Sequence, residues 1–467
     1  MTADLHYLSL AETAERLARR ALSSVELTEA LLDRIDRLDG RLRSYATVTP
    51  ERALDEAARL DAESAAGRSR GPLHGVPVAV KDLCDTEGVA TAAGMSIHRE
   101  RIPGTDSTVV SRLRQAGAVL LGKLQMTEGA YGLHHPSIDP PVNPWNAGYW
   151  TGVSSSGSGV ATAAGLCFAS LGSDTGGSIR FPSTMNGVTG LKPTWGRVSR
   201  AGVFPLAESL DHVGPMCRTA HDAAIVLGVI AGADAADPTA APHAVPDYAA
   251  SIAAGVHGCR MGVPVNLVGL DDDAARAVDS AVDTLRLAGA VAVDVTLPSL
   301  DEAAERWLDM CAVEAALAHE ATFPSRRGEY GAEFAALLDR GRALSGVEYG
   351  RLLLLRACIK GELDQLLSTI DFLILPTMGV AAPSLAALRT RSQQSVASRL
   401  RYTAPLDMSG HPSLTLPGGF TADGVPVGFQ IVGRGFDESR LLAAGHAFQQ
   451  ATDWHLRRPP DMPPGVA

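Results

Sequence analysis

The chain has 467 residues, of which 46% are hydrophobic and 20% charged, and it carries a formal net charge of -11. That balance supports a large buried core, and an acidic chain without a basic run offers no surface for nucleic acid. No apolar run reaches the ~18 residues of a membrane span, and the first apolar residues are broken by Asp4, His6 and Glu12, so neither a membrane partner nor a secretory leader is expected.

The six cysteines, Cys84, Cys167, Cys217, Cys259, Cys311 and Cys358, are widely spaced and contain no Cys-x-x-Cys pair. They read as reduced, mostly buried thiols of a cytoplasmic protein. The histidines are scattered, with His134 and His135 the only adjacent pair. No His-Glu-x-x-His spacing exists, so no metal and no cofactor is expected.

Taken in order, the first seventy residues read as helical and peripheral. Ser9-x-x-Glu12 and Ser23-x-x-Glu26 have the form of capping boxes, Gly40 is placed to end the second helix, and Thr49-Pro50 to start a third reaching about Ala66. Gly75-Val-Pro-Val-Ala-Val-Lys-Asp is then a short apolar strand ending on Lys81 and Asp82. Lysine is scarce here: only Lys81, Lys123, Lys192 and Lys360 occur among 41 basic residues. A lysine at the end of a buried strand can lose its proton, which arginine cannot, although from this segment alone a Lys81 to Asp82 surface pair is the better reading.

Residues 105–116 read as a helix and 118–123 as a strand. Gly117-x-x-x-x-Gly122-Lys123 is not a phosphate loop, because Leu124 replaces the required hydroxyl residue and Ala-Val-Leu-Leu is strand-like. Gly157-Ser-Gly159 likewise lacks the third glycine of a dinucleotide fingerprint. From Thr151 to Arg180 two Ser/Gly loops flank a predicted helix over 157–165 and a strand over 166–172. In the second loop, Gly176 and Gly177 allow close backbone approach, and Ser178 stands where a helix begins, with free N–H groups beside its hydroxyl. A hydroxyl next to backbone donors suits an acyl-transfer nucleophile.

Beyond Arg180, Gly187 to Thr194 is strand-like and 220–232 helical, and 259–297 reads strand, helix (271–287), strand (291–297). A helical region spans 300–368 with breaks near Pro324 and Gly346, and Asp371 to Leu375 is a buried strand. Segments 413–420 and 426–432 flank Asp423-Gly424 as a hairpin, and 437–452 closes the chain as a helix. This alternation predicts one α/β domain with a mixed central sheet covered by helices on both faces.

The motifs at Lys81, at the Thr-Gly-Val-Ser-Ser-Ser-Gly-Ser-Gly loop and at Gly-Ser-Asp-Thr-Gly-Gly-Ser-Ile-Arg resemble those of the amidase signature family, as do Gly187-Val-Thr-Gly-Leu-Lys-Pro-Thr194 and the segment from Ser409 to Gly433. The resemblance implies a single amidase domain over 1–467, with a helical layer at 1–70, a catalytic core at 71–200, and the remainder of the sheet with pocket-covering helices at 201–467. It implies Ser178 as nucleophile, Ser154 as a bridging serine in a cis peptide, and Lys81 as base. The amides of Thr175, Gly176, Gly177 and Ser178 would form the oxyanion hole, with Asp174 and Arg180 supporting the loop. Val153 and Ser156 replace glycines usual in the family, which makes Ser155 a rival for Ser154. Met126, Tyr131, Gly152 and Val153 are the expected substrate contacts, with Leu133, His134 and Trp150 as further pocket walls. The implied activity is hydrolysis of a small-molecule carboxamide, anilide or carbamate, and the alternative is the glutamine-hydrolysing component of a tRNA-dependent amidotransferase. Proteins of this size often self-associate, and a homodimer is one expectation.

Overall fold

In the computed structural model, which describes residues 5–390 and 396–461, the strands join into one eleven-stranded sheet. They are β1 (Tyr45–Val48), β2 (Pro77–Lys81), β3 (Val119–Leu124), β4 (Ala169–Asp174), β5 (Thr189–Lys192), β6 (His212–Cys217), β7 (Arg260–Pro264), β8 (Val291–Val295), β9 (Phe372–Pro376), β10 (Ser413–Phe420) and β11 (Pro426–Val432). Their spatial order is β1-β3-β2-β4-β6-β5-β10-β11-β9-β7-β8. β2 runs parallel to β3 and β4, and β7 parallel to β8 and β9. The other pairings are antiparallel, so the sheet is mixed.

Every residue of β2, β3, β4, β5, β6, β9 and β11 is buried. Strands of that kind need cover on both faces, which the helices supply. The outermost strands β1 and β8 keep exposed residues, as edges do.

Several local signals act as their chemistry dictates. Ser23 and Glu26 close a reciprocal capping box on the helix Ser24–Leu42, and Ser345 with Glu348 does the same for Gly346–Ser368. Pro50 opens the helix Pro50–Ala65, where its missing N–H costs nothing. Gly40 does not stop its helix, which runs on to Leu42 and ends with Arg43 in the left-handed region at φ 56°. The helix expected over 157–165 is Ser156–Ala163, and its strand starts later, at Ala169.

Two strands escape the sequence reading. β1 is only four residues long. β6 is His-Val-Gly-Pro-Met-Cys, and proline and glycine argue against a central strand. Gly214 is there because a Cβ would lie 2.0 Å from the Leu191 carbonyl oxygen of neighbouring β5.

Candidate active site

Parallel β2 and β4 are neighbours, so their C-terminal ends arrive at one edge of the sheet. β2 delivers Lys81 there and β4 delivers Ser173 and Asp174. Lys81 is fully buried. Its Nζ donates to Ser154 Oγ at 2.7 Å and to Ser173 Oγ at 2.8 Å. Asp82 is not its partner but lies 3.6 Å from Lys123 Nζ. Burial, which penalises the ammonium, pulls Lys81 down to about 7.

The first Ser/Gly loop separates the roles of its serines. Ser155 Oγ donates to the Ser173 carbonyl at 3.1 Å and accepts the Ser173 N–H at 3.2 Å, tying the loop to β4. Ser154 is the serine left facing Lys81, and the Val153–Ser154 peptide is cis. The Ser155 N–H donates to the Ser178 carbonyl at 3.3 Å, which holds the two loops side by side.

From Ser154 to Asn186 every residue is buried except Ser178. Ser178 is half-buried and stands two residues before the helix Arg180–Asn186. No hydrogen bond joins it to Ser154 among the described residues; bonds of this kind often tighten only in the complex with substrate.

The loop 174–178 is held from several sides. Asp174 accepts the N–H groups of Gly177 at 2.5 Å, Ile179 at 3.0 Å and Arg180 at 3.3 Å. Arg180 donates to both Asp174 oxygens at 3.0 Å and to Asp407 Oδ2 at 2.5 Å, all fully buried. Burial alone would raise the Asp174 carboxyl, yet the Arg180 guanidinium holds it well below the usual carboxylate range. Thr175 Oγ1 donates to Asp211 at 2.6 Å, and burial lifts that carboxyl to about 6.

Gly177 requires a correction. Its N–H is committed to Asp174, so it is not an outward donor like Gly176 and Ser178, whose amides have no protein acceptor among the described residues. Its glycine is needed for another reason: φ is 135°, and a Cβ would stand 2.5 Å from the Phe181 ring.

The expected pocket residues divide. Met126 is fully buried in the main core rather than on a wall, because its side chain points into the packed interior. Gly152 lies under Pro182, whose nitrogen would be 2.5 Å from an added Cβ. Val153 and Tyr131 are half-buried, Tyr131 packing against Phe334. Trp150 packs against Phe181 and lines a cavity of about 130 Å³ with Met378 and Tyr402. Leu133 is 68% exposed, and His134 is turned to Ser156 Oγ at 3.1 Å, with burial pulling its imidazole down to about 4. A separate cleft of about 360 Å³ reaches Ser173 between Phe204, Asp211 and His212.

Sequence reasoning missed Ser173, Asp211, Trp307, Thr403 and Asp407. Ser173 was legible, being adjacent to Asp174 in the motif. The others come from distant segments with no local signature.

The Amidase family model matches residues 26–442. The chain belongs to the amidase family. This amidase is 51% identical over 97% of its length, and 96% of the relative's, to a Mycobacterium tuberculosis protein provisionally named amidase AmiD. It is 39% identical to a Roseiflexus protein named as the A component of glutamyl-tRNA(Gln) amidotransferase, over 98% of this chain and 99% of that one. The crystal structure of the peptide amidase of Stenotrophomonas maltophilia superposes with a TM-score of 0.84 at 34% identity, covering 97% and 98% of the two chains. The amidase is therefore a hydrolase of C–N bonds. Among its described residues no group of His, Cys, Asp and Glu could hold a metal, and no helix is long and apolar enough to cross a membrane.

Proposed function

We propose that the amidase cleaves linear acyl C–N bonds of small molecules, carboxamides, anilides or carbamates, through an acyl enzyme on Ser178. The observation that carries this reading is the buried Lys81, held to about 7 by its surroundings and hydrogen-bonded to Ser154 in the loop beside Ser178. A hydroxyl is a weak nucleophile and needs a base. Neutral Lys81 takes the Ser154 proton as Ser154 takes that of Ser178, and Ser178 Oγ adds to the substrate carbonyl. With the Gly177 N–H committed to Asp174, the Thr175, Gly176 and Ser178 amides are the donors left for the developing oxyanion. The relay then runs backwards, protonating the departing nitrogen as the C–N bond breaks, and water hydrolyses the acyl enzyme.

The half-buried aromatic surface at Tyr131 and Trp150 favours a fairly apolar substrate. A second reading, glutamine hydrolysis within an amidotransferase complex, rests on relatives such as the Roseiflexus protein. The test is amine or ammonia release by wild type and Ser178→Ala from a panel of anilides, primary amides, carbamates and glutamine. The expected result is hydrolysis of a panel amide or carbamate and a loss of about 10³-fold or more in the variant. Activity on glutamine alone supports the second reading, and full activity of Ser178→Ala overturns the relay.

A further inference from the structure

Trp307 lies on the helix Asp301–Ala318, far in sequence from every catalytic motif. It is 5% exposed, and its indole Nε1–H donates to the Thr175 carbonyl at 2.7 Å. Its six-membered ring covers Gly176 so closely that a Cβ there would meet Cζ2 at 2.5 Å. Next along the chain, Thr403 Oγ1 donates to the Gly176 carbonyl at 2.7 Å. Two successive carbonyls of the loop are thus held by side chains from elsewhere in the fold.

A trans peptide is planar, with its C=O and N–H pointing in opposite directions. Whatever fixes the Thr175 carbonyl therefore fixes the Gly176 N–H. The Gly176 carbonyl bond similarly sets the Gly177 N–H, which is directed onto Asp174. Glycines have little intrinsic preference for one peptide orientation. Without a partner on the Thr175 carbonyl, the 175–176 peptide is free to rotate, and a misaimed donor stabilises an oxyanion poorly.

We propose that Trp307 is a positioning residue for acyl transfer: by holding the Thr175 carbonyl it aims the Gly176 N–H at the oxyanion formed on attack by Ser178. This rests on the reading of Ser178 as nucleophile given above. The ring also prevents any residue larger than glycine at 176, so one side chain sets both the direction of the donor and the space in which it stands.

The test compares wild type, Ser178→Ala and Trp307→Phe, the last keeping an aromatic ring but losing the N–H. For each, kcat and KM are measured on the best amide substrate, with affinities for an unreactive competitive amide analogue and for a trifluoromethyl ketone, which a serine hydroxyl converts into a tetrahedral oxyanion. Trp307→Phe is expected to lower kcat about 10- to 100-fold, below the full loss of an oxyanion donor, with KM within about twofold. Affinity for the trifluoromethyl ketone should fall by the same factor as kcat, and that for the unreactive analogue should not change. An unchanged kcat and ketone affinity overturns the proposal, as does an equal fall in affinity for both inhibitors, which marks general distortion. Should Trp307→Phe fail to fold, benzothienylalanine introduced at 307 keeps the bicyclic shape with sulfur in place of N–H, and the same outcomes apply. Activity surviving in Ser178→Ala overturns the underlying assignment of the nucleophile instead, so the two failures are told apart.

Discussion

Lys81 carries a conflict between folding and chemistry. Its folded value of about 7 lies below its ordinary 10.5. Between those values the unfolded chain holds a proton that the folded protein lacks, so this group's contribution to stability rises with pH over that window and is unfavourable below it. Lys81→Met is expected to be inactive, yet more stable than wild type by a few kcal/mol near pH 6, with a flatter dependence of stability on pH from about 7 to 10; urea unfolding at several pH values measures both. In the wild type, kcat/KM should climb through a pH of about 7 as Lys81 becomes neutral. A profile flat from about pH 6 to 9 would exclude Lys81 as the base. Lys81→Arg should be as inactive as Lys81→Met, because a guanidinium stays charged.

At the scale of elements, the loop after β4 depends on shape more than on propensity. Gly177→Ala places a methyl against Phe181 at a backbone angle that alanine resists. Moving that residue also breaks its bond to Asp174, so we expect activity to fall by about 10²-fold or more; steady-state kinetics on soluble, folded variant would show it. The helix Gly346–Ser368 provides a contrast. It starts at an exposed cap in which Ser345 and Glu348 bond each other, and through Arg356 it binds the carbonyls of Ser209 and Met408. Ser345→Ala should cost about 1 kcal/mol of stability and leave kcat unchanged, read as a lower urea midpoint with normal turnover.

For the whole molecule, the buried group Asp174, Arg180 and Asp407 ties the loop after β4 to a segment more than two hundred residues later. Arg180→Met would leave the buried Asp174 carboxylate without its cation and Asp407 without its donor, and about 3–5 kcal/mol of destabilisation is expected; a urea midpoint equal to wild type would show that other groups balance that charge. The fold class and the chemistry-bearing motifs were legible because they are local. Short apolar runs mark β2, β3 and β9, the Asp423-Gly424 turn marks the hairpin, and contiguous residues bring Lys81, Ser154 and Ser178 to notice. β6 was hidden by Gly214 and Pro215, whose place in a central strand depends on what its neighbours β4 and β5 leave room for. Met126 reads alike as pocket wall or core, since an apolar side chain has no local mark of the face it takes. By itself the sequence determined the residue types, their order and the need for glycine beside Ser178, because these follow from short-range stereochemistry. Only the tertiary structure decided that Ser154 rather than Ser155 meets Lys81, that the Gly177 amide turns to Asp174, and that Trp307 and Thr403 hold the loop's carbonyls. The orientation of a peptide plane or a hydroxyl is set by the partners packed around it, and here those partners arrive from remote parts of the chain.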